Sequence, residues 1–246
     1  MNLLERMRIM SEEHLTESQV WSSGEISEIP HRLTPETRKD IPGMDKAFVW
    51  GEPFRLGDIL DCQQGFDNPY GAFGTCGETS VANICKMAGM NVTEPEVVEY
   101  AMENDLCAKF DPTHHGGATT IGNQIALLEH YGLKAHCEFA AETATPERLA
   151  KAIEGGHGVL LGLNSGILQD RAWKIFNSEG KVFAGHAVCL TGTVRDMDYN
   201  LKGFYLCDST AQTLDGGRIF VPIEKFNACY SDVKDAFAVI TDKPIR

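Results

Sequence analysis

The sequence predicts an α+β domain, on three observations. Segments with helical spacing, each opened by a capping residue and several closed by glycine, dominate the first two thirds of the chain. Continuous apolar runs of strand length dominate the last third. The chain has 246 residues and is 43% hydrophobic and 23% charged, so it can bury a large core without disulfides.

Residues 1–45 differ from the rest. They are polar and carry Pro30, Pro35 and Pro42, so they are expected to form a short helix and an extended arm or linker. The main domain is then 46–246. Ala47-Phe48-Val49-Trp50 and Ile59-Leu60 read as short strands or turns. Gly65 to Gly74 reads as a loop. Thr79 to Gly89 has Val81, Ile84, Cys85 and Ala88 at helical spacing. A second helix starts at Thr93-Glu94-Pro95 and runs through Met102, and a third covers Ile121 to His130. A fourth starts at Thr145-Pro146 and stops at Gly155-Gly156. Strands follow at Gly158–Leu163, Ala187–Val194, Gly203–Asp208, Gly217–Val221 and Ala236–Ile240.

A net charge of −13 with no basic cluster argues against nucleic acid as a partner. No run reaches the roughly 20 apolar residues of a membrane span. The N-terminus lacks the apolar core of a secretory signal. The chain is therefore expected in the cytoplasm, or exported without a cleaved signal, or to be a fragment of a longer chain. The eight cysteines are widely spaced and form no Cys-x-x-Cys. Most are expected to be buried free thiols. His114-His115 and His136-Cys137 are adjacent pairs, a poor pattern for one metal ion. No cofactor and no metal are expected, and the oligomeric state is not legible.

The chemistry concentrates at three places. Gly74-Thr75-Cys76-Gly77 puts a thiol at the mouth of a helix, where unpaired N–H groups favour thiolate. Gly185-His186-Ala187-Val188 puts an imidazole at a strand start, suited to a general base. Tyr205-Leu206-Cys207-Asp208 puts an acid at the end of the next strand, where it can fix the imidazole tautomer. Other histidines compete for the base: His114, His115, His130, His136 and His157. His157 also precedes a strand, but no acid-terminated strand follows it directly. An oxyanion needs donors. The Cys76 N–H is one, and Gln63 or Gln64 the other. In an extended segment the two point to opposite faces. Gln64 is preferred because Gly65 leaves it room.

Together these blocks resemble the papain-like cysteine peptidases, and among them the bacterial branch of double-glycine (bacteriocin-leader) peptidases and related effector or toxin domains. The resemblance runs from about Cys62 to Ile240. It implies a papain-like fold, with an N-terminal helical half carrying the nucleophile helix and a C-terminal antiparallel sheet half. Carried onto this chain, it makes Cys76 the nucleophile, His186 the base, Asp208 the orienter and Gln64 the oxyanion donor. The implied activity is hydrolysis of a peptide or isopeptide bond through a thioester, with a protein or peptide substrate. The same triad also serves glutamine deamidation, transglutamination and cell-wall amide hydrolysis, and an inactive binding module is the remaining reading. Three positions depart from relatives: Gly77 stands where plant and lysosomal enzymes have an aromatic, Asp208 where they have Asn, and Ser209 where many double-glycine peptidases have proline. Glu78, two residues past the thiol, favours the helix dipole but opposes a thiolate.

Overall fold

The computed structural model describes residues 33–65, 68–109, 116–210 and 217–246. Most of the N-terminal arm (1–32), together with His114 and His115, lies outside the described residues. In chain order the elements are β1 Glu36–Arg38, β2 Ala47–Trp50, α1 Pro53–Leu56, α2 Cys76–Met87, α3 Glu94–Glu103, α4 Ile121–His130, β3 Ala135–Phe139, α5 Pro146–Glu154, β4 Val159–Leu163, α6 Ser165–Leu168, β5 His186–Arg195, β6 Leu201–Cys207, β7 Ile219–Pro222, α7 Ile223–Phe226 and β8 Phe237–Thr241. A 3₁₀ turn (Ala172–Lys174) and a π-helical turn (Asn227–Ser231) complete the set.

The helix starts follow local chemistry. Thr93 and Glu96 make a reciprocal capping box, with the Thr93 N–H donating to Glu96 Oε2 at 2.7 Å. Thr120 and Thr145 accept from the N–H groups of Asn123 and Arg148, at 3.1 and 3.2 Å. Helix α2 begins at Cys76, three residues before the expected start. The Thr79 N–H and hydroxyl both bond the Thr75 carbonyl, at 2.9 and 2.8 Å, which closes the first turn around the cysteine.

All eight strands form one antiparallel sheet. The path runs β1-β2-β5-β4-β8-β3, and β6 pairs with both β5 and β7. Strand β5 is the hub. It pairs with β4 through His186–Leu190, with β2 through Thr193–Arg195, and with β6 from Cys189 to Arg195. Both faces of the sheet are covered. Leu160, Cys189 and Val239 pack with α2, α3 and α4. Val159, Leu161, Val188, Leu190 and Ile240 pack with α5, α7 and the π-helical turn. Two-sided burial is why β4 and Ala187–Leu190 of β5 read as unbroken apolar runs rather than alternating ones. At Gly162 a Cβ would run into the Phe237 ring on the paired strand, so any side chain there must displace that ring.

Strands β1 and β2 precede the helices, and β3 lies among them. The sheet thus recruits the last described residues of the arm through the β1–β2 pairing. Strand β3 gave no apolar signal because two of its five residues are buried and charged or polar. His136 bonds Asp242 at 2.8 Å and Glu138 at 3.2 Å, and Arg148 pairs with Glu138 at 2.7 Å. His136 is thereby tied into this internal network. Among the described residues no helix is long and apolar enough to cross a membrane.

Candidate active site

Cys76 is the first residue of α2. The helix is buried on nearly every side, against α3, α4 and the sheet, so its N-terminus is fixed at the sheet edge. His186 opens β5, and Asp208 directly follows β6. Cys189 faces Cys207 across the two strands. His186 lies three residues before that pair and Asp208 one residue after it. Both offsets are odd, so alternation turns the two side chains to one face. His186 Nε2 and Asp208 Oδ1 are 2.8 Å apart.

The second oxygen of Asp208 accepts from Gln169 Nε2 at 2.7 Å, and Oδ1 also accepts from the Thr210 N–H and hydroxyl, both at 2.9 Å. Asp208 is buried, so these donors hold it ionised. Burial alone would raise its pKa, but His186, Gln169 and the Thr210 N–H take it well below the usual carboxylate range. Burial likewise opposes a charged His186. The hydrogen bonds and charges of Asp208 and Cys76 win, lifting it to about 9. Cys76 is half-buried. Desolvation pushes its thiol up, but the hydrogen bond and charge of His186, with the N–H groups of Ala187 and Gly77, leave it below the ordinary thiol range. The Ala187 N–H donates to Cys76 Sγ at 3.4 Å. These directions agree: they favour a thiolate beside an imidazolium.

The loop before the nucleophile is tied to the same place. The Gln64 N–H donates to the Ser209 carbonyl at 3.1 Å, Ser209 Oγ donates to Gln64 Oε1 at 2.9 Å, and Gln64 Nε2 donates to the Phe73 carbonyl at 2.7 Å. Gln63 is exposed. Buried Glu94 links loop to helix: its Oε1 accepts from the Gly65 N–H at 3.0 Å, and it hydrogen-bonds the Thr75 hydroxyl, whose oxygen accepts from the same N–H at 2.8 Å. A cleft of about 470 Å³ is lined by Gln64, Phe73, Arg171, Lys174, Ser209 and Thr210. A smaller one adjoins Asp208, Gln169, Arg171, Phe220 and Lys225.

Glu78 has a different fate from the one its position implied. It is 0% exposed, and among the described residues neither carboxyl oxygen has a partner at hydrogen-bond geometry. Burial, with Cys76 and Glu94 nearby, pushes its pKa well above the carboxylate range. A protonated Glu78 does not oppose the thiolate. Of the competing histidines, His157 bonds the Thr241 carbonyl at 2.6 Å, His136 sits in the β3 network, and His130 stacks on Tyr100. All eight cysteines are free thiols. Among the described residues no group of His, Cys, Asp and Glu is arranged to hold a metal ion.

Gln169, Thr210 and Glu94 carry no strong local signal. Only Thr210, two residues past the acid, has a spacing that anticipates its hydrogen bonds to Asp208.

The chain is similar in fold to a protein described as a C39-like peptidase from Bacillus anthracis, at 17% identity and TM-score 0.49, covering 79% of this chain and 98% of that one. It is also similar to a double glycine motif protease from an AMS/PCAT transporter, solved with its leader peptide, at 17% identity and TM-score 0.40, covering 68% and 84%. No curated protein matches the sequence. The Peptidase_C39 like family matches residues 61–236, a span that holds the thiol, the imidazole and the acid alike; the chain belongs to this family and is a cysteine peptidase of the papain-like superfamily.

Proposed function

We propose that the chain hydrolyses a peptide or isopeptide bond with Cys76 as nucleophile, His186 as base and Asp208 as orienter. One observation carries the reading: His186 hydrogen-bonds Asp208 at 2.8 Å, and His186 and Cys76 shift each other in the directions of an ion pair. The Cys76 thiolate attacks the scissile carbonyl carbon, forming a C–S bond, and the carbonyl electrons move to oxygen. The oxyanion takes the Cys76 N–H and the second N–H of Gln64, whose first is held by Phe73. Collapse expels the amine, which takes the proton from His186 and leaves a thioester. His186 then deprotonates a water that attacks the thioester, releasing the acid and restoring the thiolate. Residues 46–246 are taken as the domain that does this, with 1–45 as its arm.

Product analysis tests the reading. Wild-type protein and Cys76→Ala are incubated with a proteome-derived peptide library and the products read by mass spectrometry. The wild type should create new termini. Cys76→Ala and His186→Ala should retain less than about a thousandth of the rate and remain folded. Full activity in Cys76→Ala would overturn the assignment. Mass changes at glutamine without chain breaks would instead indicate deamidation.

A further inference from the structure

We propose that Arg171 and Lys174 form a carboxylate-binding subsite in the substrate cleft, so that the preferred peptide carries an Asp or Glu side chain, or a free C-terminus, near the scissile bond. The inference names the substrate class for the site proposed above and rests on that reading.

Three observations converge. First, both cations share the cleft with Gln64, Ser209 and Thr210, and Arg171 also lines the pocket beside Asp208. Lys174 is near enough to Asp208 and Cys76 for both to act on its charge. The two therefore line the space beside the proposed oxyanion donor Gln64 and the acid Asp208.

Second, neither cation makes an ion pair among the described residues. Four other cations are matched, Arg148 to Glu138, Arg195 to Glu147 and Glu154, Lys86 to Asp61 and Lys225 to Asp170, whereas Lys174 lies 5.0 Å over the Trp173 ring. Two neighbouring half-buried cations repel each other, and an incoming anion relieves that repulsion. Arg171 adds a planar donor fork suited to a carboxylate.

Third, the segment that presents them is held in place. It is the long connection between β4 and β5, residues 164–185. Fully buried Asn164 staples it, donating to the Ile175 and Phe183 carbonyls at 2.9 and 2.8 Å and accepting from the Ile167 N–H at 2.9 Å. The same segment supplies Gln169 to Asp208. Trp173 is 75% exposed on this segment, and Phe73 is 60% exposed in the cleft wall. They offer apolar contact to residues flanking the carboxylate.

The test is a digest of the peptide library by wild-type protein and by the double variant Arg171→Gln/Lys174→Gln. In the wild-type digest, Asp and Glu should be enriched at one fixed distance from the cleaved bond. That position then defines a Glu/Gln peptide pair, run beside a C-terminal acid/amide pair to separate the two carboxylate sources. The preferred pair should show about a tenfold ratio in kcat/KM in the wild type, the worth of one charge-assisted hydrogen bond, and a ratio near one in the double variant. No carboxylate preference, or an equal preference in the variant, overturns the subsite and leaves the peptidase reading intact. Absence of any cleavage, with a Cys76 that alkylates no faster than free cysteine, overturns both.

Discussion

Asp208→Asn removes one charge and keeps the side chain's volume. In the folded protein His186 titrates near 9 against an ordinary 6.5, a gap worth about 3 kcal/mol. Asp208 and Cys76 share that gap, so removing the carboxylate should forfeit about half of it, roughly one pKa unit or tenfold in the ion pair. A raised histidine holds its proton below its folded pKa and loses it as pH rises through that value. The alkaline limit of activity should therefore fall from about 9 to about 8. The variant should still fold. Thr210 keeps donating to the remaining carbonyl oxygen, and a rotated Gln169 can turn its unpartnered Oε1 toward the new amide. The assay is the rate of Cys76 alkylation by iodoacetamide across pH, which needs no known substrate. At about pH 6 the variant should react about tenfold more slowly than wild type. An unchanged pH–rate profile would refute the claim that Asp208 supports the ion pair.

Two further tests address the scaffold. Burial raises the Glu78 pKa well above its ordinary 4.5, so the folded protein keeps this proton over a pH range in which the unfolded chain has lost it. Folding stability should thus fall as pH rises from there, and Glu78→Gln should abolish that trend, gaining on wild type at pH 8 but not at pH 4 in denaturant titrations. Equal pH dependence in both proteins would disprove the protonated state. Gly162→Ala drives a methyl into the Phe237 ring and should cost about 1–3 kcal/mol, seen as a lower Tm by calorimetry; an unchanged Tm would contradict the packing.

What the sequence disclosed follows from how local each cause is. Helix α5 was legible because Thr145-Pro146 at its start and Gly155 at its end act within one turn. Strand β4 and the stretches Ala187–Leu190 of β5 and Phe237–Ile240 of β8 were legible because burial on both faces leaves no polar interruption there. Strand β3 was not, since the partners that make His136 and Glu138 tolerable, Asp242 and Arg148, lie on other elements. The thiol, imidazole and acid stand out because each occupies an end of its own element. Gln169 does not, because its only distinction is a bond to a residue 39 positions away. The start of α2 shifted for a related reason: Thr75-Cys76-Gly77 has no periodic apolar residue, and the turn is closed by hydroxyl and backbone bonds instead.

The bonds between Gln64 and Ser209 have a mechanical side. They join the segment ahead of the nucleophile helix to the residue after the acid, and Asp61 is fastened to the same helix through Asn83 and Lys86. Swinging one half away from the other would tear both Gln64–Ser209 bonds at once, at a net cost of about 1 kcal/mol for each. The segment ahead of the nucleophile and the residue after the acid are therefore clamped at a set separation, which keeps thiol and carboxylate in register with no bound substrate to hold them.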